Sequence, residues 1–190
     1  LAVGDKARQM QGRENPGIRT VRPLRDGVIA DFYAAEEMIR GMIKMISSKN
    51  RLFLEPSLKM VVCIPSGSTE VEIRAVRDSS EHAGGRDVYM IYEPMAAAMG
   101  IGLDVEAAEG RMVVDIGGGT TEIAVISLGG LVCNKSIRIA GVDLTEDIQE
   151  YMGRMHNIKV GERTAELIKI NVGSALTELD DDEAPEDYIV

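Results

Sequence analysis

The residues best suited to chemistry form one short run, Asp115-Ile116-Gly117-Gly118-Gly119-Thr120-Thr121. A carboxylate ends an apolar stretch, glycines allow a tight turn without side chains, and threonines open the next stretch. Such a turn points several backbone N–H groups at one spot, and glycine lets a phosphate approach the backbone closely. Asp115 would then lie where a hydrated magnesium ion needs an oxygen ligand. The run predicts a phosphate site, although the turn alone fits an ordinary glycine-rich hairpin equally well.

Two common phosphate-binding motifs do not fit this run. Position 122 is not glycine, as the dinucleotide-binding pattern requires, and no Gly-Lys-Ser/Thr follows, as the P-loop requires. The stretch after the glycines has the pattern of a strand rather than of a helix. We therefore expect a phosphate site made by a hairpin.

The elements before this hairpin alternate between helix and strand. Apolar spacing predicts a helix from Asp31, its cap, to about residue 47 and a second from Thr69 to about residue 83. Apolar runs at 58–64 and 88–91 predict strands, the first covered on both faces. Pro94 opens a third helix. This alternation is typical of a parallel sheet.

The pattern changes after residue 110. Three predicted strands, at 112–116, 121–127 and 131–139, are separated by glycine turns and indicate an antiparallel meander. Two helices, at about 143–156 and 162–173, follow it.

Composition narrows the class of protein. The chain has 190 residues, 45% of them hydrophobic, which is enough for a core. A net charge of -10 argues against a nucleic-acid partner, because such binding depends on lysine and arginine. Cys63 and Cys133 lie in apolar runs and are expected to be buried free thiols. The sequence shows neither a signal segment nor a run of ~20 apolar residues, so a cytoplasmic location is expected.

Five ordered motifs carry a resemblance to a known family. The glycine hairpin resembles the second phosphate hairpin of the actin, heat-shock chaperone and sugar kinase superfamily, and residues 91–100 resemble the segment that links its two halves. Taken with residues 22–32, 64–67 and 161–166, the series is similar to the MreB family of rod-shape-determining bacterial actins.

The resemblance implies an α/β fold of the actin-like, ribonuclease-H type, with two halves around a nucleotide cleft. The chain would hold only part of it, because a single phosphate hairpin is present. The expected divisions are an edge segment (1–22), a first α/β subdomain (23–110), a second sheet with the phosphate hairpin (111–141) and the start of a helical subdomain (142–190).

The resemblance also assigns roles around ATP and Mg²⁺. Glu93 matches the catalytic residue that orients the attacking water, and Asp115 matches the one that holds magnesium through water. The turn that binds the terminal phosphates matches Gly117, Gly118, Gly119, Thr120 and Thr121. The alternative for Glu93 is a helix-terminal glutamate that is favoured only by the helix dipole.

Glu166 and Lys169 match the family's pair that lines the ribose and adenine. On spacing alone, three residues apart on a helix, they are an ordinary surface salt bridge.

A hydrophobic loop is the second functional candidate. Leu52, Phe53 and Leu54 stand beside basic residues in a chain that is only 4% aromatic. Apolar anchoring next to basic residues suits a membrane surface, as the resemblance also implies. The alternative is that these residues pack as core under the neighbouring helix.

Three functions remain open at this point. The resemblance implies an ATP-dependent, filament-forming bacterial actin that determines rod shape, with itself, the inner face of the cytoplasmic membrane and cell-wall elongation proteins as partners. Its full-length form would be a weak ATPase, and this segment would be inactive alone. A sugar or acetate kinase of the same superfold is the alternative, and a non-enzymatic interaction module is the third reading.

Overall fold

The computed structural model describes residues 1–46 and 58–176 of the chain. The chain divides into two units, Leu1–Arg138 and Ile139–Val190. The predicted subdomain boundaries stay predictions. In chain order, the helices and strands of the first unit are α1 (Asp5–Met10), β1 (Leu24–Arg25), β2 (Val28–Ile29), α2 (Phe32–Ile46), β3 (Leu58–Ile64), α3 (Glu70–His82), β4 (Gly85–Tyr92), α4 (Glu93–Gly100), β5 (Arg111–Ile116), β6 (Thr121–Ser127) and β7 (Gly130–Ile137).

Side-chain caps begin the two longest described helices of the first unit, and the first of these caps, Asp31, is the one that the sequence predicts. The Asp31 carboxylate accepts a hydrogen bond from the Ala34 N–H at 3.0 Å. At α3, the Thr69 hydroxyl accepts from the Glu72 N–H at 3.3 Å, and the Glu72 carboxylate accepts from the Thr69 N–H at 2.7 Å. This reciprocal pair is a capping box, which satisfies two donors that the helix itself leaves free.

Strands β3 and β4 pair in parallel, with α3 as the crossover between them. In this register Ile64, the last residue of β3, lies beside Tyr92, the last residue of β4. The segments that follow the two strands therefore leave from the same edge. One of them is the Pro65–Gly67 turn and the other begins α4 with Glu93.

Strands β5, β6 and β7 form the predicted antiparallel meander. Its inner face packs against α4, where Ala98, Val113 and Ile126 make a buried apolar cluster. The register pairs Ile116 with Thr121 and Asp115 with Glu122, so the glycine turn stands at one end of the meander.

Two expectations about burial are wrong. Strand β3 alternates between half-buried and exposed residues, with Val61 69% exposed, whereas coverage of both faces was predicted. Cys63 and Cys133 are free thiols, as predicted, but they are exposed. Apolar runs indicate strands well, yet coverage of the second face requires another element, and the exposure of Val61 shows that no described residue provides that cover there.

The second unit contains two helices within its described part, α5 (Gly141–His156) and α6 (Glu162–Val172). They pack against each other around buried Thr145 and Ala165. Across the residues that the structure describes, no helix is both long and apolar enough to span a bilayer.

Candidate functional site

The glycine turn between β5 and β6 is closed by a hydrogen bond from the Gly117 N–H to the Thr120 carbonyl at 2.9 Å. A Cβ added at Gly118 would meet no atom within 4 Å, so this side of the turn is open. At Gly119 a Cβ would lie 2.9 Å from both the Cα and the N of Asp26. Gly118 thus leaves room for a ligand, whereas Gly119 is required by the approach of another backbone segment.

That segment is the turn between β1 and β2. Asp26 and Gly27 both have positive φ, 50° and 75°, as a two-residue hairpin turn requires. A Cβ at Gly27 would lie 2.8 Å from Thr120 Cγ2 and 3.0 Å from Pro65 Cγ. In the sequence, this stretch stands out through its resemblance to the family. An Asp-Gly pair followed by the apolar residues Val28 and Ile29 is a hairpin signal that could have revealed it.

Two carboxylates beside the glycine turn, those of Asp115 and Glu122, act on Glu93, and we call Glu93, Asp115 and Glu122 the carboxylate cluster. Burial, followed by the charges of Glu122 and Asp115, raises the pKa of Glu93 above its ordinary value. The pKa of the Cys63 thiol is raised as well, by partial burial and by Glu93 and Asp115. The structure therefore brings together the ends of β3, β4 and β5 with the start of β6.

Glu122 is the member of the cluster that has no role predicted from the sequence. It is 1% exposed. Its carboxylate accepts hydrogen bonds from the Ser66 N–H at 3.0 Å, from the Ser66 hydroxyl and from the Ser136 hydroxyl at 2.5 Å. A signal was available, because the alternation of β6 places Glu122 on the same buried face as Ala124 and Ile126.

The cluster has a donor set that suits magnesium. Mg²⁺ is usually held by one or two protein carboxylates, with water and phosphate oxygens completing its shell. Asp115 is half-buried beside the glycine turn, and the surrounding negative charge favours a cation. Within the described ranges no group of three or more His, Cys, Asp or Glu side chains is arranged to hold a metal by itself. Asp115 therefore fits a hydrated ion that is shared with a phosphate ligand.

The second unit holds the other predicted pair. Lys169 Nζ lies 2.6 Å from Glu166 and donates hydrogen bonds to the Gly141 carbonyl at 2.7 Å and to Thr145 Oγ1 at 2.9 Å. The Thr145 hydroxyl also contacts Glu166 at 2.6 Å. The pair is a half-buried link between α5 and α6 rather than an exposed surface salt bridge. Its assignment to ribose and adenine stays a prediction.

The predicted membrane loop, Leu52-Phe53-Leu54, lies outside the described residues. The remaining predicted residues of the phosphate turn differ in burial: Thr120 is buried, Thr121 half-buried and Gly117 exposed.

A parallel βαβ pair is followed by α4 and by an antiparallel meander with a glycine turn beside acidic residues. This arrangement is that of an actin-like α/β protein. The model of the MreB/Mbl protein family matches residues 1–185, and the chain belongs to this family.

The relatives agree with this assignment. The chain is 52% identical over 174 residues to the cell shape-determining protein MreB of Escherichia coli K12, covering 92% of this chain and 50% of that protein. It is 46% identical over 174 residues to the cell shape-determining protein Mbl of Bacillus subtilis 168, covering 92% and 51%. The chain thus spans about half the length of the curated relatives it matches.

A solved structure agrees in fold as well. The structure of MreB5 of Spiroplasma citri bound to AMPPNP has a TM-score of 0.82 and 36% identity to this chain, covering 95% of this chain and 53% of that one. The same protein has also been solved bound to ADP, and that structure has a TM-score of 0.81.

Proposed function

We propose that the protein to which this chain belongs is a cell-shape-determining bacterial actin that binds ATP with magnesium and assembles into filaments. The observation that carries the proposal is the open turn at Gly118, with Glu93 and Asp115 beside it, in a chain of the MreB/Mbl family. The nucleotides bound to the Spiroplasma citri relative support the ligand class. Family membership favours this reading over a sugar or acetate kinase.

Each residue of the site would have a distinct part in the reaction. The backbone N–H groups from Gly117 to Thr121 would bind the terminal phosphates, and Asp115 would hold the magnesium ion through water. Glu93 would accept a hydrogen bond from the attacking water and take its proton as the water oxygen bonds to the terminal phosphorus and the bond from that phosphorus to the ADP oxygen breaks. Its raised pKa makes it a stronger base than an ordinary glutamate.

In the second unit, Glu166 and Lys169 would contact the ribose and adenine. The half-buried ion pair supports this part, because two long side chains held in one geometry form a pre-organised polar surface. The segment alone would hydrolyse ATP very slowly, since it carries one phosphate hairpin.

Filament formation gives the direct test of this proposal. We expect the full-length protein with ATP and magnesium to scatter more light over time and to form filaments visible by electron microscopy. Replacing magnesium by EDTA is the matched control and should prevent assembly. A full-length protein that binds ATP but forms no filaments under these conditions would contradict the filament part. Transfer of phosphate from ATP to a small alcohol or acid would support the kinase reading instead.

Membrane association is the finer part of the proposal, and Leu52, Phe53 and Leu54 would carry it. We expect the L52S/F53S double variant of the full-length protein to lose most of its co-sedimentation with anionic liposomes, because inserted apolar surface contributes about 25 cal/mol per Å². The matched control is Leu128→Ser, which removes a leucine that is 74% exposed in the turn between β6 and β7. Unchanged sedimentation of the double variant would show that the loop does not bind the membrane. A protein attached in this way would work at the inner face of the cell membrane, near the cell-wall elongation proteins.

A further inference from the structure

We propose that Glu122 is a positioning residue of the nucleotide site, which holds the turn after β3 against the meander and thereby sets where Glu93 stands relative to the glycine turn. This inference rests on the proposed function. It deepens that function by assigning a part to a residue that the proposed function gives no contact with the nucleotide.

The burial of Glu122 is the first argument. A carboxylate that is 1% exposed has lost nearly all its contact with water, and this loss is unfavourable unless hydrogen bonds replace the water. Here the donors are the Ser66 N–H, the Ser66 hydroxyl and the Ser136 hydroxyl. An apolar side chain would fill the same space at a lower desolvation free energy. The carboxylate is therefore best explained by the groups that it connects.

The connected groups come from separate parts of the first unit. Ser66 belongs to the turn after β3, and Ser136 lies on β7 directly opposite Glu122 in the ladder. Gly67, in the same turn, packs against Ser136, since a Cβ at Gly67 would lie 2.9 Å from Ser136 Cβ. The Glu122 carboxylate thus connects the turn after β3 to strands β6 and β7 by hydrogen bonds.

This hydrogen-bonded link lies close to the proposed nucleotide site. Ile64 and Tyr92, the last residues of β3 and β4, are neighbours in the parallel pair. The turn after β3 and Glu93, which follows β4, therefore lie at the same edge. On the other side of the link, Glu122 is two residues from Thr120, which ends the glycine turn. A shift of the two strand systems by about 1 Å would misplace a water-orienting group and can lower a rate by ~10²-fold.

The test compares two substitutions in the full-length protein. Glu122→Gln keeps the size of the side chain, and one amide oxygen can still accept from the Ser66 N–H. Glu122→Leu removes every acceptor. The readouts are the melting temperature, ATP affinity and the single-turnover rate of ATP cleavage per bound nucleotide. Glu109→Leu is the matched control, because that carboxylate is exposed and pairs only locally with Arg111.

We expect Glu122→Leu to cleave bound ATP at least about 10-fold more slowly than wild type, and Glu122→Gln to stay within about 3-fold. If the leucine variant does not fold, Ser136→Ala replaces it, with an expected loss of about 2- to 5-fold.

Two outcomes would overturn the inference alone. The first is a leucine or Ser136→Ala variant that cleaves bound ATP at the wild-type rate, whatever its melting temperature. The second is a glutamine variant as slow as the leucine variant, because the charge rather than the hydrogen-bonded link would then matter. A wild-type protein that binds no ATP would instead overturn the proposed function.

Discussion

Replacing Gly118 by alanine is expected to weaken ATP binding by the full-length protein about 10-fold or more while leaving its melting temperature close to that of wild type. The added methyl group meets no protein atom within 4 Å, so it costs the fold little. It does occupy the open side of the turn, where a phosphate would accept backbone N–H hydrogen bonds. Loss of one such charge-assisted bond costs about 1.5–3 kcal/mol, and 1.4 kcal/mol corresponds to a factor of ten.

Gly119→Ala is the matched comparison, one residue along the same turn. Its methyl group would lie 2.9 Å from two backbone atoms of Asp26, which cannot rotate away as a side chain can. We expect this variant of the full-length protein to melt a few degrees lower, since overpacking costs about 1–3 kcal/mol.

Thermal unfolding and titration with a fluorescent ATP analogue measure the two effects separately. Gly118→Ala should change affinity and Gly119→Ala should change stability. A Gly118→Ala protein that binds ATP as tightly as wild type would mean that the turn is an ordinary glycine-rich hairpin. The phosphate site would then have to be sought elsewhere.

Glu93→Gln is expected to lower the rate of ATP hydrolysis by the full-length protein about 10²- to 10⁴-fold, with ATP affinity nearly unchanged. The amide has the size of the carboxylate but cannot accept a proton from water. Single-turnover hydrolysis and equilibrium binding are the measurements. Hydrolysis at the wild-type rate would leave Glu93 as a glutamate placed only to suit the helix dipole.

The pH dependence of stability provides a second, independent check on Glu93. Burial and the charges of Glu122 and Asp115 raise its pKa above 4.5, so its charged form is less favourable in the folded chain than in the unfolded chain. The protonated form therefore contributes stability that is fully present below pH 4.5 and is lost as the pH rises through the raised pKa. At neutral pH the Glu93→Gln chain should thus melt higher than wild type, and this advantage should shrink on acidification.

Glu70→Gln is the control for this stability measurement. Glu70 is also the first residue of its helix, but it is exposed on the surface. Its carboxylate should stabilise α3 by about 0.3–1 kcal/mol at low salt, so its replacement should lower the melting temperature slightly. Opposite signs for the two variants would separate the buried glutamate of the carboxylate cluster from an ordinary helix-terminal one.

The secondary-structure elements and the glycine motif could be predicted from local sequence patterns. Hydrophobic periodicity and cap residues predicted α2, α3 and the strands from β3 to β7 within a few residues, since these signals act over one or two turns of chain. The run from Asp115 to Thr121 predicted a hairpin with a glycine turn, since this signal is also local. The five ordered motifs indicated the family to which the chain belongs.

The contacts between these elements could not be predicted in this way. Sequence spacing does not show that Gly119 packs on Asp26, that Lys169 reaches Gly141 and Thr145, or that Cys63 is exposed. Nor does it show that Glu122 joins Ser66 to Ser136 across 56 and 14 residues of chain. Contacts of this kind depend on the packing of distant segments, and whether a strand face is covered depends on a neighbouring element rather than on the strand itself.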